Sequence, residues 1–329
     1  MINLDDREIK FAVESVAKAS LLVKRVQSEM VSPALTKDDR SPVTVADYAA
    51  QALVGHLLEE EFPDDVLIGE EDSTSLRKPS QRLTLERITD FVRRYTPLAE
   101  PETVCSWIDR GSAETAQRYW TLDPIDGTKG FLRGNQYAVA FALVYDRRVQ
   151  VGVLGCPELS LGDGEGIIMV GVRGQGTWYG PLEAISGGNY QFSKASVSNC
   201  ADPSKARLLR SFERAHTNVS KVDLLADVLG VESEPVRMDS QAKYAVLAAG
   251  LGEIYLRLLS ADRPDYREKV WDQAAGSILI EEAGGRVTDL DDKDLDFMQG
   301  RTLALNRGIC ATNGVLHQQT LTALKVVEA

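Results

Sequence analysis

The sequence predicts an α/β protein, an α+β layered sandwich in which helix and sheet layers alternate. Its N-terminal sheet should be antiparallel and its C-terminal sheet mixed. Three observations predict this. Apolar residues recur at helical spacing through the first sixty positions, strand-like runs crowd together between residues 137 and 173, and helices and strands alternate again from about residue 195. With 329 residues, 43% of them hydrophobic, the chain can bury a large core in two parts, placed at 1–193 and 194–329.

Phe11, Val13, Val16, Ala17, Leu21, Leu22 and Val26 fall on one stripe and predict a helix over 8–28. A second helix is expected from Val45 to Glu61, stopped by Pro63. Val66-Leu67-Ile68 reads as a short buried strand that delivers Gly69-Glu70-Glu71-Asp72 at its end. Residues 81–95 read as a helix with Leu83, Ile88, Phe91, Val92 and Tyr95 on one face, and Trp120-Thr121-Leu122 as a strand entering Asp123. The runs 137–145, 148–154 and 167–173 supply the antiparallel sheet. In the second part, strands are expected at 206–211, 253–258 and 286–290, and helices at 219–229, 241–251 and 272–282.

Composition excludes several classes. A formal charge of −12 opposes nonspecific binding to nucleic acid or anionic lipid. The longest apolar run, Tyr137 to Tyr145, is far short of the roughly 20 residues that a membrane-spanning helix needs. Residues 1–10 carry Asp5, Asp6 and Glu8 and lack the pattern of a secretory or transit peptide, so the expected location is the cytoplasm. Cys105, Cys156, Cys200 and Cys310 form no CxxC pair and are expected to be reduced thiols. The three histidines make no HExxH, and neither a GxSxG elbow nor a GxxxxGK[ST] loop occurs.

The run Asp123-Pro124-Ile125-Asp126-Gly127-Thr128 carries the chemistry. Pro124 lacks an N–H and locks its φ, which predicts a sharp, rigid turn. Both aspartates and the Ile125 carbonyl could then face one hard cation such as Mg²⁺, with Glu70 as a fourth donor and Asp272 as a fifth. Taken singly, each has a plainer reading: a solvated DxxD loop, surface charge at Glu70, a helix N-cap at Asp272 or Thr128. A helix beginning after Gly127 would aim free N–H groups at a phosphate.

The string from Trp120 to Phe131 resembles the signature of the lithium-sensitive, inositol-monophosphatase-like superfamily. Trp271-Asp272-Gln273-Ala274-Ala275-Gly276 with Glu281-Glu282-Ala283-Gly284-Gly285, and Gly69-Glu70-Glu71, are similar to its other motifs. Further features resemble the 3′(2′),5′-bisphosphate nucleotidases within it. These are Lys37 with Ser41-Pro42-Val43-Thr44 and Asp47-Tyr48-Ala49-Ala50-Gln51, the stretch Lys129 to Val139, Asp239 to Tyr244, and Tyr255-Leu256-Arg257-Leu258. The resemblance implies two or three Mg²⁺ ions held by Glu70, Asp123, the Ile125 carbonyl, Asp126 and Asp272. It also implies an Asp47–Thr128 dyad acting on the attacking water. Gly127, Thr128, His216, Ser240, Lys243, Arg257 and Asp272 would face the nucleotide. Gln273 departs from the pattern, standing where eukaryotic relatives often have His.

The activity so implied is Mg²⁺-dependent hydrolysis of the 3′-phosphate of adenosine 3′,5′-bisphosphate, as in sulfur assimilation, with sensitivity to Li⁺ and in a monomer or homodimer. Two rivals stay open: an inositol (bis)phosphate or sugar phosphatase sharing the metal machinery, and a noncatalytic nucleotide sensor. For Lys243 and Arg257 the plainer reading is solvated charge on a helix and a strand. For His216 it is a surface histidine.

Overall fold

The computed structural model describes residues 2–31, 41–162, 165–212, 219–260 and 262–328. Lys37 and His216 lie outside the described residues. The first part opens with helices α1 (Arg7–Met30) and α2 (Ser41–Glu61), strand β1 (Val66–Gly69), and helices α3 (Arg82–Arg93) and α4 (Pro101–Asp109). Then come β2 (Arg118–Asp126), the short α5 (Thr128–Arg133), β3 (Ala138–Tyr145), β4 (Arg148–Cys156), β5 (Ile167–Val172), β6 (Gly176–Pro181), α6 (Leu182–Ser186) and β7 (Ser193–Ala195). The second part comprises β8 (Leu208–Arg210), α7 (Val219–Leu229), β9 (Val236–Arg237), α8 (Ala242–Ala248), β10 (Ile254–Arg257), α9 (Ala274–Glu282), β11 (Arg286–Thr288), β12 (Ile309–Thr312) and α10 (His317–Val326).

Strands β1 to β7 form one sheet in sequence order, antiparallel except where β1 runs parallel to β2. A parallel pair needs a long crossover, and α3 and α4 supply it. The second sheet, ordered β11-β12-β10-β8-β9, is mixed. Successive side chains of the first sheet point to opposite faces. Trp120, Phe141 and Leu143 pack with α1 and α2, while Tyr119, Ala140 and Ala142 pack toward α8 and α9 between the sheets. The third core, with Leu225 of α7 and Leu321 and Leu324 of α10, covers the far face of β10 and β12. The layers therefore run helix, sheet, helix, sheet, helix. Trp120 and Phe141 stack at 4.8 Å, and Phe11 meets the indole edge-on at 5.3 Å, an arrangement that favours a well-defined first core.

Differences from the sequence reading have local causes. α2 begins at Ser41, four residues earlier than expected, because Pro42 in a first turn forfeits no helical hydrogen bond. Leu83 is 74% exposed and lies off the buried face of α3, which holds Ile88, Phe91 and Val92. The glycines at 171–176 belong to the β5–β6 hairpin, with Gly174 and Gly176 both at positive φ. Helix α4 and strands β6, β7, β9 and β12, together with α10, were not anticipated; β9 has two residues and β7 three, too few for an alternation to show. All four cysteines are free. Among the described residues no helix is long and apolar enough to cross a membrane.

Candidate functional site

The expected turn at Asp123–Asp126 is a bulged strand end. β2 pairs Asp123 with Ala140 and Asp126 with Ala138, so three steps on β2 oppose two on β3. Pro124 sits in this stretch, where its missing N–H leaves no ladder bond broken, and Ile125 buries its side chain in the first core. Asp123 and Asp126 are thus delivered by a strand of the main sheet, a firmer mount than a loop. Gly127 follows at φ 94°, a left-handed conformation, and caps α5. A Cβ there would lie 2.8 Å from the Ser240 Cβ, so the same glycine admits the second part of the chain to the site. Thr128 is the first residue of α5 and not its cap, and the cap of α9 is Gln273, which removes the N-cap reading of Asp272 as well.

Glu70 leaves the end of β1 through a segment pinned by buried Gln51. The Gln51 amide donates to the carbonyls of Glu71 at 2.6 Å and Ile108 at 2.8 Å, and its oxygen accepts from the Glu71 N–H at 3.0 Å. From the other side, Arg301 donates to the carbonyls of Gly69 and Gly111 and lies over the Trp271 ring. Asp126 accepts the backbone N–H of Gln241 at 2.6 Å, which ties the bulge to the turn before α8.

These carboxylates burden one another. Burial pushes Asp123 well above the usual carboxylate range, and the charges of Glu70, Asp126, Asp272 and Asp47 push it further. Asp47, on α2, is raised by burial and then by Glu71 and Glu70. Asp272 is raised by burial, with Arg257 opposing and Asp126 adding. Glu70 is exposed to solvent along one side yet hemmed by protein on the others. Burial and then Glu71 carry it up to about 7, while a hydrogen bond with Asp123 pulls the other way. Such crowding of like charge is expensive unless a proton or a cation offsets it.

The donor set fits a hard divalent cation. It consists of oxygen alone, and Asp123 Oδ1 is buried with no hydrogen-bond partner, a costly state that a metal ion would relieve. Among the described residues no three acidic, His or Cys side chains are already gathered as a metal cage.

A cavity of about 180 Å³ joins the acidic bulge to the second part of the chain. Its lining includes Asp126, Gly127 and Thr128 on one side and Ser240, Lys243 and Arg257 on the other. Ser240 holds a positive φ of 67°, and its hydroxyl accepts the Ala242 N–H at 3.1 Å where the chain enters α8. Lys243 is buried, 3.3 Å from the Met238 carbonyl and over the Tyr255 ring, and burial brings its ammonium down to about 8. Arg257 ends β10, one-fifth exposed, its Nε 2.9 Å from Glu268. These two charges are therefore not solvated surface groups. Asp47 is buried and Thr128 exposed; α2 and α5 pack together, but among the described residues no hydrogen bond joins the two side chains.

Sequence reasoning quoted Gln51 only within a motif and did not single out Glu268 or Arg301 as supports of the candidate site. Gln51 acts on Ile108 and Arg301 on Gly69, far along the chain, while Glu268 meets Arg257 eleven positions back, and no local pattern marks any of these contacts. Asp239, quoted only within a motif, proves to be a buried wall residue paired with Arg133 at 2.7 Å.

With this geometry in place, the likenesses to known proteins are specific. The model of the inositol monophosphatase family matches residues 5–328. A 3′(2′),5′-bisphosphate nucleotidase of Oryza sativa is 42% identical, over 97% of this chain and 93% of its own length. The nucleotidase of that name from Schizosaccharomyces pombe is 39% identical over 98% and 96%, and that of Emericella nidulans 36% over 98% of each. Among solved structures, an IMPase of Thermotoga maritima superposes with a TM-score of 0.65 at 19% identity over 98% of both chains, a likeness of fold.

Proposed function

Since this chain belongs to the inositol monophosphatase family, we propose that its pocket removes the 3′-phosphate of adenosine 3′,5′-bisphosphate, releasing AMP and phosphate. The protein is on this reading a 3′(2′),5′-bisphosphate nucleotidase, like the relatives that match it end to end. The sulfated analogue, 3′-phosphoadenosine 5′-phosphosulfate, fits the same pocket chemistry. One observation carries the proposal: a single cavity is lined by Asp126, at the end of the acidic bulge, on one side and by Lys243 and Arg257 on the other. A phosphomonoester bearing a second anionic group needs both.

Glu70, Asp123, the Ile125 carbonyl, Asp126 and Asp272 would hold Mg²⁺, two or three ions in all. Bound there, Mg²⁺ supplies Lewis acidity, which activates water and offsets charge on the departing ribose oxygen. The chain's own groups do the rest. The Gln241 N–H fixes the direction of the Asp126 carboxylate. Asp47 and Thr128 are assigned to orient the attacking water and to take its proton, directly or in relay. Gly127 keeps the wall free of side chain, so the phosphate can approach the backbone at the start of α5. Ser240, Lys243 and Arg257 are assigned to the nucleotide, Arg257 because a guanidinium can bind an oxyanion or stack on a base. His216 is assigned to it by motif alone. In this division residues 1–193 carry most metal ligands, and 194–329 carry the nucleotide contacts and Asp272. A cytoplasmic setting and a monomeric or homodimeric state belong to the same proposal.

The test compares phosphate release from adenosine 3′,5′-bisphosphate and from inositol 1-phosphate, each with and without Mg²⁺. The proposal expects preference for the nucleotide and dependence on the metal. Preference for the inositol ester would favour the inositol phosphatase rival, and tight nucleotide binding without phosphate release would favour a sensor.

A further inference from the structure

Behind the basic wall of the pocket runs a buried chain of polar side chains that no part of the proposed chemistry uses. Glu268, only 5% exposed, lies in the segment before α9 and places Oε2 2.9 Å from Arg257 Nε. Gln273 Nε2 donates to the same Glu268 oxygen at 2.8 Å, and the Tyr244 hydroxyl donates to Gln273 Oε1. Gln273 and Tyr244 are fully buried. The Tyr244 ring lies on α9 where Gly276 leaves room, since a Cβ there would come within 2.2 Å of the ring. Glu268 is held at its backbone too, its carbonyl accepting the Leu303 N–H at 2.8 Å.

Each link dictates the next. A tyrosine hydroxyl given to the Gln273 oxygen turns the amide nitrogen toward Glu268, and that donation fixes which way the Glu268 carboxylate points. The carboxylate then meets Arg257 as an opposite charge, although the Nε–H is not aligned on any acceptor. Arg257 has a second anion within electrostatic reach, Asp272. A guanidinium beside two carboxylates goes to whichever is fixed closer, and one drawn onto Asp272 would occupy the oxygens assigned to metal.

We propose that Glu268 is a positioning residue for substrate recognition, holding Arg257 in the pocket wall and away from Asp272, with Gln273 and Tyr244 holding Glu268 in turn. The proposal rests on the reading that Arg257 faces the substrate. The experiment measures steady-state kinetics with adenosine 3′,5′-bisphosphate for Glu268→Gln, Arg257→Ala, their double variant, and Tyr244→Phe in both the parent and the Arg257→Ala background, with thermal unfolding recorded for each. Removing a charge-assisted contact to substrate should raise KM by about tenfold in Arg257→Ala. Glu268→Gln should raise KM similarly, with kcat changed less than about threefold, and the double variant should be no worse than Arg257→Ala alone. Tyr244→Phe should raise KM about twofold to threefold in the parent and not at all in the Arg257→Ala background, which decides the matter if Glu268→Gln fails to fold. An unchanged KM in Arg257→Ala would overturn the substrate-facing reading and the inference with it. A raised KM there, combined with a normal KM in Glu268→Gln or with effects that multiply in the double variant, would overturn the inference alone.

Discussion

The two walls of the pocket are built on different supports. The acidic wall stands on the main sheet: Asp126, which lines the pocket, rides with Asp123 on the bulged end of β2, and Glu70 follows β1 behind it. Main-chain groups fix it, through Gln51 to the Glu71 backbone and through the Gln241 N–H to Asp126. The basic wall stands on the second sheet and α8, and side-chain pairs fix it, Glu268 with Arg257 and Asp239 with Arg133. A wall locked by backbone holds crowded like charges in place despite their repulsion. A wall tuned by side-chain pairs can change its recognition by single substitutions while the fold stays the same. On the proposed function, the reactive machinery sits on the stiffer mount and specificity on the more adaptable one.

Breaking the acidic wall should give the largest effect. Asp126→Asn removes an anionic ligand and should lower kcat by about 1000-fold or more, several kcal/mol of transition-state stabilisation, with the thermal midpoint preserved. Near-normal turnover would refute the metal role. Next comes the lock beneath that wall. Gln51→Leu strands the Glu71 N–H and two carbonyls in a buried place, and should cost about 2–3 kcal/mol in denaturant unfolding as well as raising the Mg²⁺ needed for half-maximal rate. An unchanged metal requirement would show that Glu70 does not depend on this support. On the basic wall, Lys243→Met should raise KM for the bisphosphate about tenfold while kcat moves little; a kcat loss of equal size would erase the contrast between the walls.

The smallest effect on turnover is expected outside both walls, at His317. It is buried at the start of α10, 3.0 Å from the hydroxyls of Thr288 and of Thr312. Burial, with Arg286 adding, lowers its imidazole from 6.5 to about 4. The unfolded chain binds this proton first, so the stability from a neutral His317 is complete above pH 6.5 and is lost as pH falls toward about 4. The unfolding midpoint of His317→Gln should therefore decline less steeply than that of the parent between pH 7 and 4.5, with KM and kcat at pH 7.5 unaltered. Equal slopes would remove His317 from the acid response.

The same contrast explains what could be read in the sequence. The acidic wall was legible because the carboxylates proposed as metal ligands lie in short contiguous motifs, Gly69 to Asp72 and Asp123 to Thr128, at the ends of strands with strong apolar signals. Their mount was misjudged, since a proline between two aspartates reads as a turn and only pairing with β3 reveals a bulge. The basic wall was named residue by residue through resemblance, while its supports escaped notice. Glu268 and Arg257 are eleven positions apart in sequence, and nothing in the intervening residues marks that their side chains meet in the folded chain. Elements such as β7, β9 and β12 were hidden for the same reason: they are short and owe their existence to neighbours in a sheet.

The most direct test of this division of labour is to measure kcat and KM for adenosine 3′,5′-bisphosphate, under saturating Mg²⁺, in Asp126→Asn and Lys243→Met side by side. The account predicts a collapse of kcat in the first and a rise of KM with near-parental kcat in the second. The reverse pattern, or the same loss in both parameters for both variants, would contradict it.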